Sequence, residues 1–502
     1  MSLAFSGAST APLRTRADLL AVPVFADRTF GSGAEAVDAA SGGALASLAD
    51  RSGFTGAVGE TLLVPLSAVK GAAKGAVKVA LLVGLGSPDT VTLDDLRVAG
   101  ATVARRSKKI KRVSISLASD APEHLDRGAA AQAVAEGIAL GAYEYLEYRS
   151  KPQPTKLAEV VVLGASASVR RALERAVTVT DAVVWARNAV NRPAAQLSPD
   201  QFAKSAQALL RGKGVKVEVL DVPALRKERL GGILGVGQGS KQPPRLVKMT
   251  YSPRGARGSI ALVGKGVVFD SGGLSIKTAS GMETMKTDMA GAAAVIATMS
   301  ALAALGVKTK VIALTPMVEN MPSGGAIRPG DVLTFRNGKT AEVLNTDAEG
   351  RLILADALSL AVEAKPDAII DLATLTGACV VALGEKIAGL MANDEDFGAR
   401  VSAAATRSGE PMWSLPLPKF YRKQIDSEIA DMKNIGSGGY GGAITAGLFL
   451  QEFVGDVPWV HLDIAGPART GADDGYNPRG ATGFGVRTLL ELVTQPPAPK
   501  RR

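Results

Sequence analysis

Thiols and imidazoles are nearly missing from this 502-residue chain, which has one cysteine, Cys379, and two histidines, His124 and His461. A single cysteine excludes an intrachain disulfide, which fits a reducing cytosol. It also excludes a thiolate metal cluster. The two histidines fall in different predicted domains and there is no HExxH, so a conventional histidine-bound zinc site is excluded as well. Any metal must be held mainly by carboxylates. Cys379 lies in the apolar run Ala378-Cys379-Val380-Val381 and reads as a buried, inert thiol.

No basic segment followed by an apolar stretch opens the chain, so the expectation is a cytoplasmic protein without a secretory leader. Strongly apolar runs are scarce too. Met289 to Val307 carries no charge, yet it is mostly Ala, Gly, Ser and Thr. Such weak hydrophobicity predicts a helix buried in protein, and no membrane partner. The net charge is +10, which raises the question of a nucleic-acid partner. The excess is spread thinly: 21 basic against 17 acidic residues up to position 180, and 37 against 31 beyond it. One dense run, Arg105 to Arg112, joins a helical pattern to a strand and reads as a solvated turn. A nucleic-acid partner is therefore not expected.

What the chain does have is alternation. At this length two domains are expected. Strand patterns at Val77–Val83, Val113–Leu117 and Val160–Leu163 interleave with helical patterns at Leu93–Lys108 and Ala129–Tyr145. A helical pattern without internal Gly or Pro runs from Ser168 to Asn191 and is stopped by Arg192-Pro193. Beyond it, strand candidates at Lys216–Leu220, Ser259–Val263, Lys310–Leu314, Ala368–Leu372 and Val460–Ile464 alternate with helices that include Ala290–Leu305 and Leu352–Ala364. The expected fold is α/β: an N-terminal α/β domain over residues 1–165, a long connecting helix over 166–190, and a larger C-terminal catalytic domain with a mixed central sheet over 191–502.

Carboxylates gather at the predicted strand ends of this larger domain, where open α/β sheets place their sites. Asp270 follows the strand that ends at Val263-Gly264, and Asp288 opens the small-residue helix, where a plain cap is its simplest role. The segment after Ala341–Leu344 carries Asp347 and Glu349; in extended backbone, residues two apart share a side and these two converge. Four carboxylates carry a charge of −4. Like charges about 4 Å apart repel by about 4 kcal/mol per pair at an effective dielectric of 20. Two divalent cations cancel that charge, and paired metals are a recurrent hydrolytic device.

These segments also carry a resemblance. Asn345-Thr346-Asp347-Ala348-Glu349-Gly350-Arg351-Leu352 resembles, without a departure, the hallmark octapeptide of the cytosol (leucyl) aminopeptidase family. Lys265-Gly266 with Phe269-Asp270-Ser271-Gly272-Gly273-Leu274-Ser275-Ile276-Lys277, then Met285-Lys286-Thr287-Asp288, Glu319-Asn320-Met321-Pro322-Ser323-Gly324 and Ala373-Thr374-Leu375-Thr376-Gly377-Ala378 are similar in the same order. The resemblance is strong over residues 180–495 and weak before them. It implies two divalent metals, Mn or Zn, with Asp270 and Glu349 bridging them, Asp347 completing one site, and Lys265 and Asp288 completing the other. It further implies that Lys277 stabilises the oxyanion, that Arg351 holds a bicarbonate acting as general base, and that Met285, Thr374 and Gly377 line the pocket. The implied activity is removal of N-terminal residues, Leu and other apolar ones preferred, from peptides with a free N-terminus, by a hydroxide held between the metals. A homohexamer is implied as well.

Three other readings compete. Asp270-Ser271-Gly272-Gly273 resembles the nucleophile segment of trypsin-like serine hydrolases, which would need His461 as base. The Gly-Lys pairs Gly264-Lys265 and Gly338-Lys339 lack the spacing of a phosphate-binding loop. An additional DNA-binding, architectural role rests on the net charge and the Arg105–Arg112 run, and requires binding that weakens steeply with salt.

Overall fold

The computed structural model describes residues 3–66 and 77–495. The chain divides into two compact units, one of Met1–Asp181 with Gly471–Arg479, the other of Ala182–Thr470 with Gly480–Arg502. The long helical pattern is a continuous 25-residue helix, Ala167–Asn191, and the division falls within it.

In the first unit, the described residues form a six-stranded sheet in the order Ala4–Ala8, Glu159–Leu163, Arg112–Ile115, Leu19–Val24, Val79–Gly84, Thr61–Pro65. All neighbours are parallel except the last pair. Helix Leu93–Arg106 starts on a capping box between Thr92 and Asp95, which satisfies two of the amide donors a helix start leaves over. The basic run lies between this helix and the Arg112–Ile115 strand. Its charges are partly matched: Lys108 pairs with Glu144 at 2.9 Å and Arg112 with Glu159 at 3.3 Å.

The second unit holds a mixed sheet in the order Met412–Ser414, Ala388–Ala392, Trp459–Asp463, Ala368–Ala373, Ser259–Gly264, Lys310–Asn320, Arg245–Tyr251, Val215–Leu220. Its centre, from Trp459–Asp463 to Lys310–Asn320, is parallel. The centre is buried on both faces, and its strands are accordingly near-continuous apolar runs. Helix Gly350–Glu363 covers one face through Leu352, Leu354, Ala355 and Leu358, which share a core with Ala261, Val263, Ile369 and Trp459. Every residue of helix Ala290–Ala301 is buried, in contact with the same strands. The uncharged stretch is thus an internal helix. No helix among the described residues is long and apolar enough to cross a membrane.

Two departures from the sequence pattern matter for the site. Gly266–Asp270, which the sequence pattern assigned to no element, is a strand parallel to the end of Lys310–Asn320, with a register shift between Val267 and Phe269 that sets Asp270 beside Asn320. Such shifts re-aim side chains. The second departure concerns Asp347 and Glu349. They are joined by a turn, with Asp347 N donating to Asn345 Oδ1 at 2.8 Å and Glu349 already helical at φ −80°, ψ −33°.

Candidate metal centre

The ends of strands Ser259–Gly264, Gly266–Asp270 and Ala368–Ala373, a short turn and a helix start assemble the site. Lys265 leaves the Ser259–Gly264 strand with its N–H on Leu372 O at 3.0 Å and its carbonyl accepting from Ala292 N at 2.8 Å. Thr374 follows the neighbouring strand Ala368–Ala373. Asp288 ends the short turn Met285–Thr287, and it caps nothing: the helix after it starts from Met289. Glu349 leads into helix Gly350–Glu363. Glycine is required in two places. A Cβ at Gly350 would stand 2.6 Å from Lys265 Nζ, and one at Gly291 would stand 2.1 Å from Leu372 O.

Six of the seven predicted charged residues, all but Arg351, meet in one cluster. Lys265 Nζ lies 3.0 Å from Asp288 Oδ1 and 2.8 Å from Glu349 Oε1, and donates to Thr374 O at 2.8 Å. Lys277 Nζ lies 2.9 Å from Asp270 Oδ2 and also pairs with Asp347. Thr374 Oγ1 donates to Asp288 Oδ1 at 2.7 Å. Carboxylate oxygens of Asp270, Asp347 and Glu349 lie within 4.8 Å of one another. Met285 is adjacent, its carbonyl accepting from Asp288 N at 3.3 Å. Gly377 opens helix Gly377–Leu383 with free space where a side chain would be. Arg351 is buried and donates to Asn434 O at 2.7 Å, while its Nε has no hydrogen-bond partner in the protein.

Whether these residues suit a metal is testable on their own chemistry. Asp288 Oδ2 and Glu349 Oε2 are buried without a partner, and Glu349 Oε1 and Asp347 Oδ1 face no donor beyond the lysine each pairs with. Unpaired buried carboxylate oxygens are costly. Burial first, then repulsion from Asp270 and, for Asp288, from Glu349 as well, pushes the carboxyls of Asp288, Asp347 and Glu349 upward against the nearby lysines. Burial opposes the Lys265 charge, but Asp288, Glu349 and Asp270 outweigh it and raise its pKa. Two ammonium groups supply two positive charges to four carboxylates. The donor set is hard oxygen plus amine and still short of positive charge, which is what divalent cations fit.

Comparison with known proteins decides the family. The model of the cytosol aminopeptidase family catalytic domain matches residues 184–490, and that of its N-terminal domain matches residues 21–152. The chain belongs to the cytosol aminopeptidase family.

Its relatives support the same placement. A probable cytosol aminopeptidase of Streptomyces griseus is 47% identical with 98% of each chain covered. One of Brucella ovis is 47% identical over 89% of this chain and 90% of its own. Among solved structures, the bottromycin maturation enzyme BotP in complex with Mn superposes with a TM-score of 0.86 at 39% identity, covering 95% of this chain and 99% of that one. A mutant of tomato leucine aminopeptidase superposes with a TM-score of 0.88 at 33% identity, covering 98% and 96%. This cytosol aminopeptidase is a metal-dependent hydrolase, with a clustered acidic site able to bind divalent metals.

The geometry leaves no serine triad at the suspected segment. Ser271 Oγ is buried and donates to Asn320 O at 2.7 Å. His461 is engaged elsewhere, its Nδ1 2.6 Å from Asp371 Oδ1. Cys379 is buried, and burial pushes its thiol up to about 12, so it is inert.

Two buried polar residues that no sequence pattern marks hold the octapeptide and the loop after Thr374 in place. Asn434 is fully buried; its Nδ2 donates to Asn345 O at 2.7 Å and its Oδ1 accepts from Leu344 N at 2.9 Å. Asp463 accepts from Thr376 Oγ1 at 2.6 Å and from Leu375 N at 3.1 Å, fixing the loop after Thr374. Neither position carries a local signal. Each is a polar residue in an ordinary setting, revealed only by what the fold brings to it.

Proposed function

We propose that this aminopeptidase removes N-terminal residues, Leu and other apolar residues preferred, from peptides with a free α-amine, and that it does so in the cytoplasm. The observation that carries the reading is the cluster of four carboxylates sharing one buried lysine, Lys265, and one partly exposed lysine, Lys277, with carboxylate oxygens still unpartnered. Asp270 and Glu349 would be shared between two divalent ions, with Asp347 completing one position and Asp288 the other, together with Lys265, which would serve as a neutral amine once adjacent cations replaced the proton that the carboxylates otherwise hold on it. Bound divalent ions, Mn or Zn, supply Lewis acidity and bring the pKa of water toward neutrality.

The rest falls to the chain's own residues. Lys277, charged and raised in pKa by Asp270 and Asp347 against burial, is placed to oppose the negative charge that develops on the carbonyl oxygen. Arg351 Nε is a buried donor with no protein partner, suited to a bicarbonate ion that would take the proton from water. Met285, Thr374 and Gly377 border the position of the first side chain, with open space at Gly377. A free α-amine as a recognition element restricts cleavage to the first residue.

Assembly into a homohexamer belongs to the same proposal. In the second unit Val381, Trp413, Phe420, Ile429 and Tyr440 are 64–89% exposed, and such apolar surface favours association.

The test is hydrolysis of Leu-p-nitroanilide by the purified protein. Chelation is expected to abolish it and Mn or Zn to restore it, and Asp347→Ala or Glu349→Ala to lose metal and activity together. Activity that survives chelation, or a fluorophosphonate-sensitive activity, would overturn the reading.

A further inference from the structure

Asn320 is 2% exposed and ends the strand Lys310–Asn320, level with Asp270 on the neighbouring strand. Its two amide hydrogens go to two different segments. Nδ2 donates to Asp270 Oδ1 at 2.8 Å and to Thr346 O at 3.0 Å. Both acceptors are fixed as acceptors: Asp270 Oδ1 also takes Gly272 N at 2.8 Å, and Thr346 O is a carbonyl. The amide orientation follows from its neighbours. The main-chain oxygen of Asn320 is engaged as well, by Ser271 N at 3.0 Å and Ser271 Oγ at 2.7 Å.

We propose that Asn320 is a positioning residue for the metal centre, fixing Asp270 so that one carboxylate oxygen is fully occupied and the other is aimed at the cations. With two N–H donors on Oδ1, that oxygen has no remaining role toward a metal, and Oδ2 faces the cluster, where Lys277 Nζ lies at 2.9 Å. Through Thr346 O the same amide also ties the octapeptide to the Asp270 segment. It thereby sets the spacing between Asp270 and Asp347, which sequence alone leaves 77 positions apart. Carboxylate ligands held by such outer partners bind metal more tightly than free ones, and loss of the partner costs about 10–100-fold in affinity. An aspartate at 320 would keep the shape and turn a donor into an acceptor against Asp270 Oδ1.

The inference rests on the metal-dependent reading and adds to it a residue with no charge of its own. Its test is calorimetric titration of Mn(II) into the chelator-stripped full chain and its Asn320→Asp and Asn320→Ala variants, with the melting temperature of each metal-free protein in parallel. Both variants are expected to bind at least one Mn(II) about 10–100-fold more weakly, Asn320→Asp at least as weakly as Asn320→Ala despite its unchanged volume. If only one variant folds, it decides. Affinity within about twofold of the parent, or tighter, overturns the proposal even if the melting temperature drops. So does failure of both to fold with metal supplied, which would assign Asn320 to the fold alone. A parent protein that binds no Mn(II) or Zn(II) would instead sink the metal reading itself.

Discussion

Lys265 and Lys277 are chemically alike and differently placed. Lys265 has a side chain 4% exposed between Asp288 and Glu349; Lys277 is 17% exposed beside Asp270 and Asp347. The more open lysine is the one a substrate can reach. Lys277→Ala is therefore expected to lower kcat by about 10²–10³-fold, the usual cost of removing one oxyanion donor, with metal stoichiometry unchanged. Steady-state kinetics with metal analysis on the same sample checks it; a loss of metal equal to the loss of rate would reassign Lys277 to the metal shell. At this scale the four carboxylates were legible because a histidine- and cysteine-poor chain leaves few other ligands, whereas Lys265, Lys277 and Arg351 came only with the family resemblance. Asn320, Asn434 and Asp463 were not, since an amide or carboxylate acting on main-chain groups leaves no spacing to read.

Among elements, the buried helix Ala290–Ala301 sits so close to the sheet that Gly291 meets Leu372 O with no room for a methyl group. Gly291→Ala must push helix and strand apart, and overpacking against a main-chain oxygen is expected to destabilise by about 1–3 kcal/mol. Its melting curve should show this in the metal-free protein too; an unchanged melting temperature would mean the contact relaxes easily. On the opposite face, Asp356 of helix Gly350–Glu363 is fully buried and accepts from Ile233 N and Arg336 N at 3.0 and 2.9 Å. Burial outweighs these bonds and pushes its carboxyl up to about 7. The folded state then holds the proton more tightly than the unfolded chain does. Asp356 accordingly adds stability at low pH that is lost as pH rises from about 4 through about 7 and then levels off. Asp356→Asn should lack this slope: the difference in melting temperature between parent and variant should shift across pH 5–8, and a constant difference refutes the assignment.

Strand and helix periodicity identified most of these elements, because the parallel centre is apolar throughout and its helices are uninterrupted. Periodicity failed at Gly266–Asp270, where the register shift breaks the alternation. It failed again at Asp347–Glu349, where a turn achieves the convergence that an extended chain was expected to give.

For the whole molecule, a net charge of +10 invited a nucleic-acid partner, yet the densest basic run is partly neutralised by Glu144 and Glu159 within its own unit. The exposed apolar residues from Val381 to Tyr440 call for cover instead. Sedimentation velocity is expected to give a particle of about six times the 51.5 kDa chain; a stable monomer at micromolar concentration would count against the hexamer. Assembly was the least legible level, since one sequence shows which side chains are apolar but not which of them stay uncovered in the folded chain.

The clasp of Asn434 on the octapeptide has a consequence in time as well as space. The loop that carries Asp347 and Glu349 receives its buried support from a residue 89 positions beyond Asn345. A contact across so many residues can form only after the intervening chain has been ordered or closed into a loop. During synthesis the acidic ligands emerge well before their clamp. A growing chain therefore carries the segment that bears Asp347 and Glu349 before the residue that clamps it has been made.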